Sequence, residues 1–199
     1  MGAGLKKELR KRVEEIMNLY DPDPAHAVQV CKLSLQLFDE LEGLHGLAST
    51  ERELLEIAAL LHDIGWALTE DTKHHKHSRD LILQKSDTIL NDRDRTICAL
   101  VARYHRKAEP DPTRHRRFAE LSEGDRDIVA WLAAILRVAD GLDRSHMNCV
   151  RSIRCEIDDS RITMKLEAPG GCEAEIWGVE RKAGLLKRKS KKDLVFEPC

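Results

Sequence analysis

Apolar residues recur at intervals of three and four along most of the chain. Leu5, Leu9, Val13, Ile16 and Met17 fall on one stripe, which predicts a helix over Leu5 to Leu19 ended by Asp21-Pro22-Asp23-Pro24. Pro24 suits the first turn of a second helix behind Asp23 as cap, and Val30, Leu33, Leu37, Phe38 and Leu41 carry the stripe to Gly43 and Gly46. His26 lies in the opening turn of that helix. Ser49-Thr50-Glu51-Arg52-Glu53 offers capping oxygens and an acidic first turn to a third helix, whose apolar run through Leu61 ends at His62-Asp63-Ile64-Gly65 with Gly65 as C-cap. Helical periods follow over Lys76 to Gln84, Asp92 to His105 and Asp125 to Asp143.

From Val150 the period changes to two. Val150 to Ile157 and Arg161 to Glu167 alternate on either side of Asp158-Asp159-Ser160, a hairpin pattern. A short helix over Glu173 to Lys187 and a strand around Leu194 to Phe196 complete the chain. The expectation is a mostly α fold: a helical domain over 1–147 and a small α+β C-terminal subdomain over 148–199. The alternating apolar positions of that tail need a covered face, so it should pack on the helices.

Composition narrows the class. With 199 residues, 42% hydrophobic and 34% charged, the chain can bury one sizeable core and reads as soluble rather than disordered or membrane-embedded. Lys plus Arg number 33 against 35 acidic residues; the formal net charge of -2 gives no global attraction for nucleic acid or an anionic membrane. The basic run from Leu185 to Lys192 reads as a solvated face. Six cysteines without a CxxC pair predict a reduced, cytoplasmic setting. No run reaches the roughly 20 apolar residues of a membrane helix, and the N-terminus lacks the pattern of a signal peptide.

The chemistry centres on His62-Asp63 at the end of an apolar helix, where adjacent side chains about 100° apart can converge on an ion. An isolated pair is weak evidence, but His26 opens the upstream helix and Asp140 sits in a long apolar helix where an unpaired carboxylate carries a large desolvation cost. Two imidazoles and two carboxylates suit a divalent metal ion such as manganese, iron(II), nickel, cobalt, zinc or, less well, magnesium. The set leaves coordination positions for water and a phosphate oxygen.

The ordered pattern His26, His62-Asp63, Asp140 resembles the H…HD…D signature of the HD superfamily of metal-dependent phosphohydrolases. More closely, AALLHDIGWAL, KHHKHSRDLIL, LVARYHRKAEP and LRVADGLDRSH are similar to the C-terminal HD-type region of the exopolyphosphatase/guanosine pentaphosphate phosphatase family, over about residues 20 to 197. The resemblance implies an HD-type helical domain with its β-rich tail. In those longer enzymes it also implies that phosphate chemistry belongs to a preceding actin-like nucleotide-binding region. None lies within these 199 residues, so exopolyphosphatase activity is not expected to carry over.

Many HD enzymes supply extra histidines for a second metal or for proton transfer in the interval where His74-His75-Lys76-His77 and Tyr104-His105-Arg106-Lys107 fall. His75 and His105 are the favoured pair; His74 competes, because an HxxxG/S spacing pairs it with Ser78. Asp63 then bridges to the second ion. Arg137 and Arg144, three residues before and four after Asp140, share its face and read either as phosphate binders or as an ion-pair ladder. Trp66 and Trp131 read as core or pocket wall, and His45, His115 and His146 as surface or loop residues.

The expected function is hydrolysis of a phosphomonoester or phosphodiester in a nucleotide-like or pyrophosphorylated small molecule. Metal ligands are His26, His62, Asp63, Asp140, His75 and His105, and the catalytic group is Asp63, His75, His105, Lys76 and Arg144. The rival reading is a non-catalytic regulatory or ligand-binding module that partners an actin-like phosphatase subunit. A homodimer is the other assembly foreseen.

Overall fold

The structure, a computed structural model, describes residues 5–69 and 73–199. Helix α1 (Lys7–Tyr20) buries Val13 and Met17, the middle of the predicted stripe. Helix α2 (Pro24–Glu40) starts as its sequence dictates, with Pro24 in the first turn and the Asp23 carboxylate accepting from the His26 N–H at 3.2 Å. After the single turn α3 (Glu42–His45), Gly46 adopts a left-handed conformation, φ +60°, and closes the segment.

Helix α4 (Ser49–Leu60) is capped differently from expectation. Its N-cap is Ala48, whose N–H donates to the Glu51 carboxylate at 3.0 Å, so the acidic side chain rather than a Ser or Thr hydroxyl satisfies the end. Gly65 is not its C-cap. The helix stops at Leu61, and Gly65 lies inside a 3-10 turn over Ile64–Leu68. Its glycine is required by close approach: a Cβ there would lie 2.1 Å from the His74 carbonyl oxygen and 2.4 Å from the Ser78 nitrogen.

Helices α5 (His74–Lys85) and α6 (Asp92–Arg103) pack against each other, the latter capped by Asn91. After the turn α7 (Arg116–Ala119), the long α8 (Glu123–Gly141) begins two residues earlier than predicted because Ser122 Oγ accepts from the Asp125 N–H. Helix α8 carries Leu132 to Val138 through the centre of the core, between α2 and α6.

The tail folds into an antiparallel hairpin of β1 (Ser152–Ile157) and β2 (Arg161–Glu167), with Cys155 opposite Met164. Strand β3 (Asp193–Pro198) adds in parallel to β2, giving the order β1-β2-β3. The buried side is carried mainly by Ile162, Met164 and Leu166 of β2, together with Ile153, while Ile157 remains exposed. This sheet does not float: Gln36 and Glu40 of α2 accept from the Ile153 and Cys155 N–H groups at 3.2 and 2.7 Å.

The single helix expected over Glu173 to Lys187 is two, α9 (Glu173–Glu180) and α10 (Gly184–Ser190), both packed on α8. The break between them lets the Lys182 carbonyl accept from Arg137 Nε at 3.2 Å. The fold is thus mostly helical with a small α+β appendage. Among the described residues no helix is long and apolar enough to cross a membrane.

Candidate metal centre

Three helix ends converge beneath one cavity. The start of α2 brings His26, the end of α4 brings His62 and Asp63, and the last turn of α8 brings Asp140. Helix α5 adds His74 at its first residue and the turn after α6 adds His105. All six are buried. They form two trios, His26/His62/Asp140 and Asp63/His74/His105, each offering ligand atoms within 4.8 Å of one another. The trios adjoin: the ring centroids of His62 and His105 are 5.0 Å apart, and His62 Nε2 is 3.6 Å from Asp63 Oδ2.

The orientation of each ring follows from its outer nitrogen. His62 Nδ1 lies 2.7 Å from the Ala59 carbonyl oxygen and His105 Nδ1 lies 2.7 Å from that of Ala102. A carbonyl only accepts, so Nδ1 holds a proton in both rings, and each ring turns its Nε2 to the centre. His26 is anchored likewise, its Nδ1 2.7 Å from Asp143 Oδ2, with Nε2 3.5 Å from Asp140 Oδ1. This outer ring of carboxylate and carbonyl partners is the arrangement that fixes imidazoles for metal ligation.

The inner atoms lack the partners that such burial demands. His62 Nε2 and Asp63 Oδ1 have no hydrogen-bond partner among the described residues. His74 Nε2 and His105 Nε2 approach Asp63 Oδ1 to 3.2 and 3.5 Å and each other to 3.3 Å. Ring nitrogens and a carboxylate oxygen converging at these distances are satisfied by a shared proton or by a bound cation. The donor set therefore fits a divalent cation on this structure's own geometry.

Electrostatics points the same way. Burial opposes protonation of His26, but the hydrogen bonds to Asp140 and Asp143 carry its pKa up to about 10. Burial likewise opposes ionisation of Asp140, yet Lys182 and His26 hold its carboxyl well below the usual range. Lys182 Nζ, arriving from the turn between α9 and α10, is hydrogen-bonded to Asp140 Oδ2. Burial keeps His105 neutral.

Above the trios opens a cavity of about 580 Å³. Asp63, His74, His105, His26 and Asp140 form its floor, and Arg106, Arg144, Arg181 and Lys182 line it with positive charge. The Arg144 side chain is exposed and makes no ion pair among the described residues, so the ladder with Arg137 or Asp140 does not form. Arg137 instead is buried, donating to the Tyr104 carbonyl at 2.9 Å and to that of Lys182.

Two expected positions lie elsewhere. His74 rather than His75 faces Asp63; His75 is the next residue on α5, turned about 100° away, and burial pushes its pKa down to about 3. The signal that picks out His74 is its spacing to Ser78, whose Oγ accepts from the Gly65 N–H at 3.0 Å and clamps α5 to the segment after Asp63. Lys76 is exposed on α5 and does not line the cavity.

Other residues of the site escape sequence reasoning. His146 is exposed in a loop, as expected, and also stacks on His26 at 3.9 Å between centroids, with Nδ1 2.8 Å from Asp23 Oδ2. Asp143, Lys182, Trp177 and Arg181 carry no spacing signal, because their roles arise from contacts between distant segments. His45 is buried between the Phe38 carbonyl and the Leu47 N–H rather than at the surface. Trp66 is pocket wall, 3.9 Å from the His74 ring, and Trp131 is core.

Residues 9–176 match the family described as Ppx/GppA phosphatase, domain III. No curated protein matches the chain.

Proposed function

Because the chain belongs to the Ppx/GppA phosphatase domain III family, we propose that it is an HD-type, metal-dependent phosphohydrolase. Its reaction is cleavage of a phosphomonoester or phosphodiester bond in a nucleotide-like or pyrophosphorylated small molecule. The observation that carries this reading is the pair of adjoining trios with orphaned inner atoms beneath a cation-lined cavity. His26, His62, Asp63 and Asp140 would hold one divalent ion as the H…HD…D set, and His74 and His105 with Asp63 would hold a second. When bound, such an ion lowers the pKa of water and polarises a phosphoryl oxygen.

The chain's own groups do the rest. Asp143, Ala59 and Ala102 fix the three imidazole orientations. Arg144 and Arg106 hold phosphate oxygens, the guanidinium fork matching their geometry. Lys182, hydrogen-bonded to Asp140 on the cavity wall, places its ammonium where a phosphate oxygen would enter. His146, held through Nδ1 by Asp23, offers its other ring nitrogen to the departing oxygen. A cytoplasmic setting suits the six free cysteines.

The competing role, a ligand-binding module for an actin-like phosphatase partner or a homodimer, would use the same cavity without turnover. Metal content of protein purified without added ions, followed by a screen of phosphorylated substrates, tests the reading. His62→Ala and Asp63→Ala should lose bound metal and hydrolysis while retaining helix content. Equal metal occupancy in wild type and both variants would overturn it.

A further inference from the structure

Trp177 stands out as a large apolar side chain left in solvent on an element that is otherwise tightly docked. Helix α9 crosses the end of α8 at two glycines: a Cβ on Gly178 would lie 2.8 Å from the Gly141 carbonyl oxygen and from Arg144 Cβ, and one on Gly141 would lie 2.7 Å from Val179 Cα. The crossing is locked further by Glu175, buried, whose carboxylate accepts from the Ser145 N–H at 3.1 Å. Packing of α9 is thus carried by Glu175, Gly178 and Val179, and needs nothing from Trp177.

Yet the indole is 53% exposed and forms part of the wall of the cavity above the trios. The Arg181 guanidinium lies 4.8 Å from its ring centroid and covers one face. A rigidly held aromatic plane with a cation behind it, at the mouth of a pocket lined by four basic side chains, suits a ligand with a flat aromatic end and an anionic end. Inorganic phosphate chains and sugar phosphates have only the second.

We propose that Trp177, backed by Arg181, is the stacking platform for the base of a nucleotide whose phosphate enters the cavity beside Arg144. The proposal rests on the phosphate-binding reading of that cavity and narrows its substrates to nucleotides. Stacking on an aromatic side chain tolerates any base, so the platform selects for the presence of a base rather than its identity.

The test is calorimetric binding to the full chain in the presence of Mn²⁺, with adenosine 5′-monophosphate, ribose 5-phosphate, adenosine and inorganic pyrophosphate as probes. The nucleotide should bind about tenfold or more tightly than ribose 5-phosphate. Trp177→Ala should erase that difference while ribose 5-phosphate keeps its affinity, and Trp177→Phe should preserve part of it. Equal affinity of the two probes for the wild type, or a preference that survives Trp177→Ala, overturns the platform. Adenosine binding that depends on Trp177, with no gain from the phosphate, keeps the platform and rejects the phosphate reading. No binding of any probe rejects both.

Discussion

Arg144 shows how much a single side chain's surroundings decide. Its position four residues after Asp140 permits either an ion-pair rung or a phosphate contact, and the structure leaves its guanidinium on the cavity wall with no acidic partner among the described residues. Arg137, three residues before Asp140 on α8, donates to two backbone carbonyls instead. Arg144→Ala should therefore preserve metal content and lower kcat/KM about ten- to a thousandfold, equivalent to about 1.4 to 4 kcal/mol of transition-state stabilisation. Arg144→Lys should recover only part, since an ammonium restores charge without the planar fork. Unchanged kinetics on every substrate would remove Arg144 from the phosphate site, and a parallel loss of metal would make it a group that orients Asp140.

Between elements, the site depends on how closely α5 approaches the turn after α4. Gly65 permits that approach, with the His74 carbonyl and the Ser78 nitrogen where any Cβ would project. Both obstacles are backbone and cannot rotate away. Gly65→Ala should displace the start of α5, destabilise the protein by about 1–3 kcal/mol in urea unfolding and weaken metal binding through His74. Full stability with wild-type metal affinity would show that the segment has slack.

The turn after α2 supplies a pH-dependent contact outside the candidate metal centre. Burial lowers the pKa of His45 below its ordinary 6.5, with the Phe38 carbonyl hydrogen bond working in the opposite direction. A histidine with a depressed folded-state pKa contributes stability above its unfolded value that is lost as pH falls through the folded one. The gap in Tm between wild type and His45→Gln should accordingly narrow as the pH is lowered from about 8 to about 5, the range that brackets the unperturbed histidine pKa. A gap independent of pH would mean that the ring titrates normally.

At the scale of the molecule, the tail completes the cavity. Trp177, Arg181 and Lys182 reach the site from the tail, while α9 and α10 cover α8 and β1 lies along α2. The proposed division at residues 147 and 148 therefore separates two units that share a surface, and they should unfold together. Limited proteolysis near residue 148 is expected to yield no stable helical fragment; a folded body that survives loss of the tail would show that the two are independent.

The chain's own periodicity determined the main helices and the hairpin, and its residue order carried the candidate set His26, His62, Asp63 and Asp140. Those features are local: they depend on turn residues, caps and intervals of 3.6 or two that the sequence carries openly. The choice of His74 over His75 was legible only through the distant-seeming spacing to Ser78, because both histidines begin the same helix and only its docking against Gly65 decides which one faces Asp63. The pairing of Asp143 with His26, the stacking of His146 and the arrival of Lys182 at Asp140 bring together residues as many as 120 positions apart. No local pattern encodes such contacts, since they exist only once the helix ends and the tail have packed around one buried centre of charge.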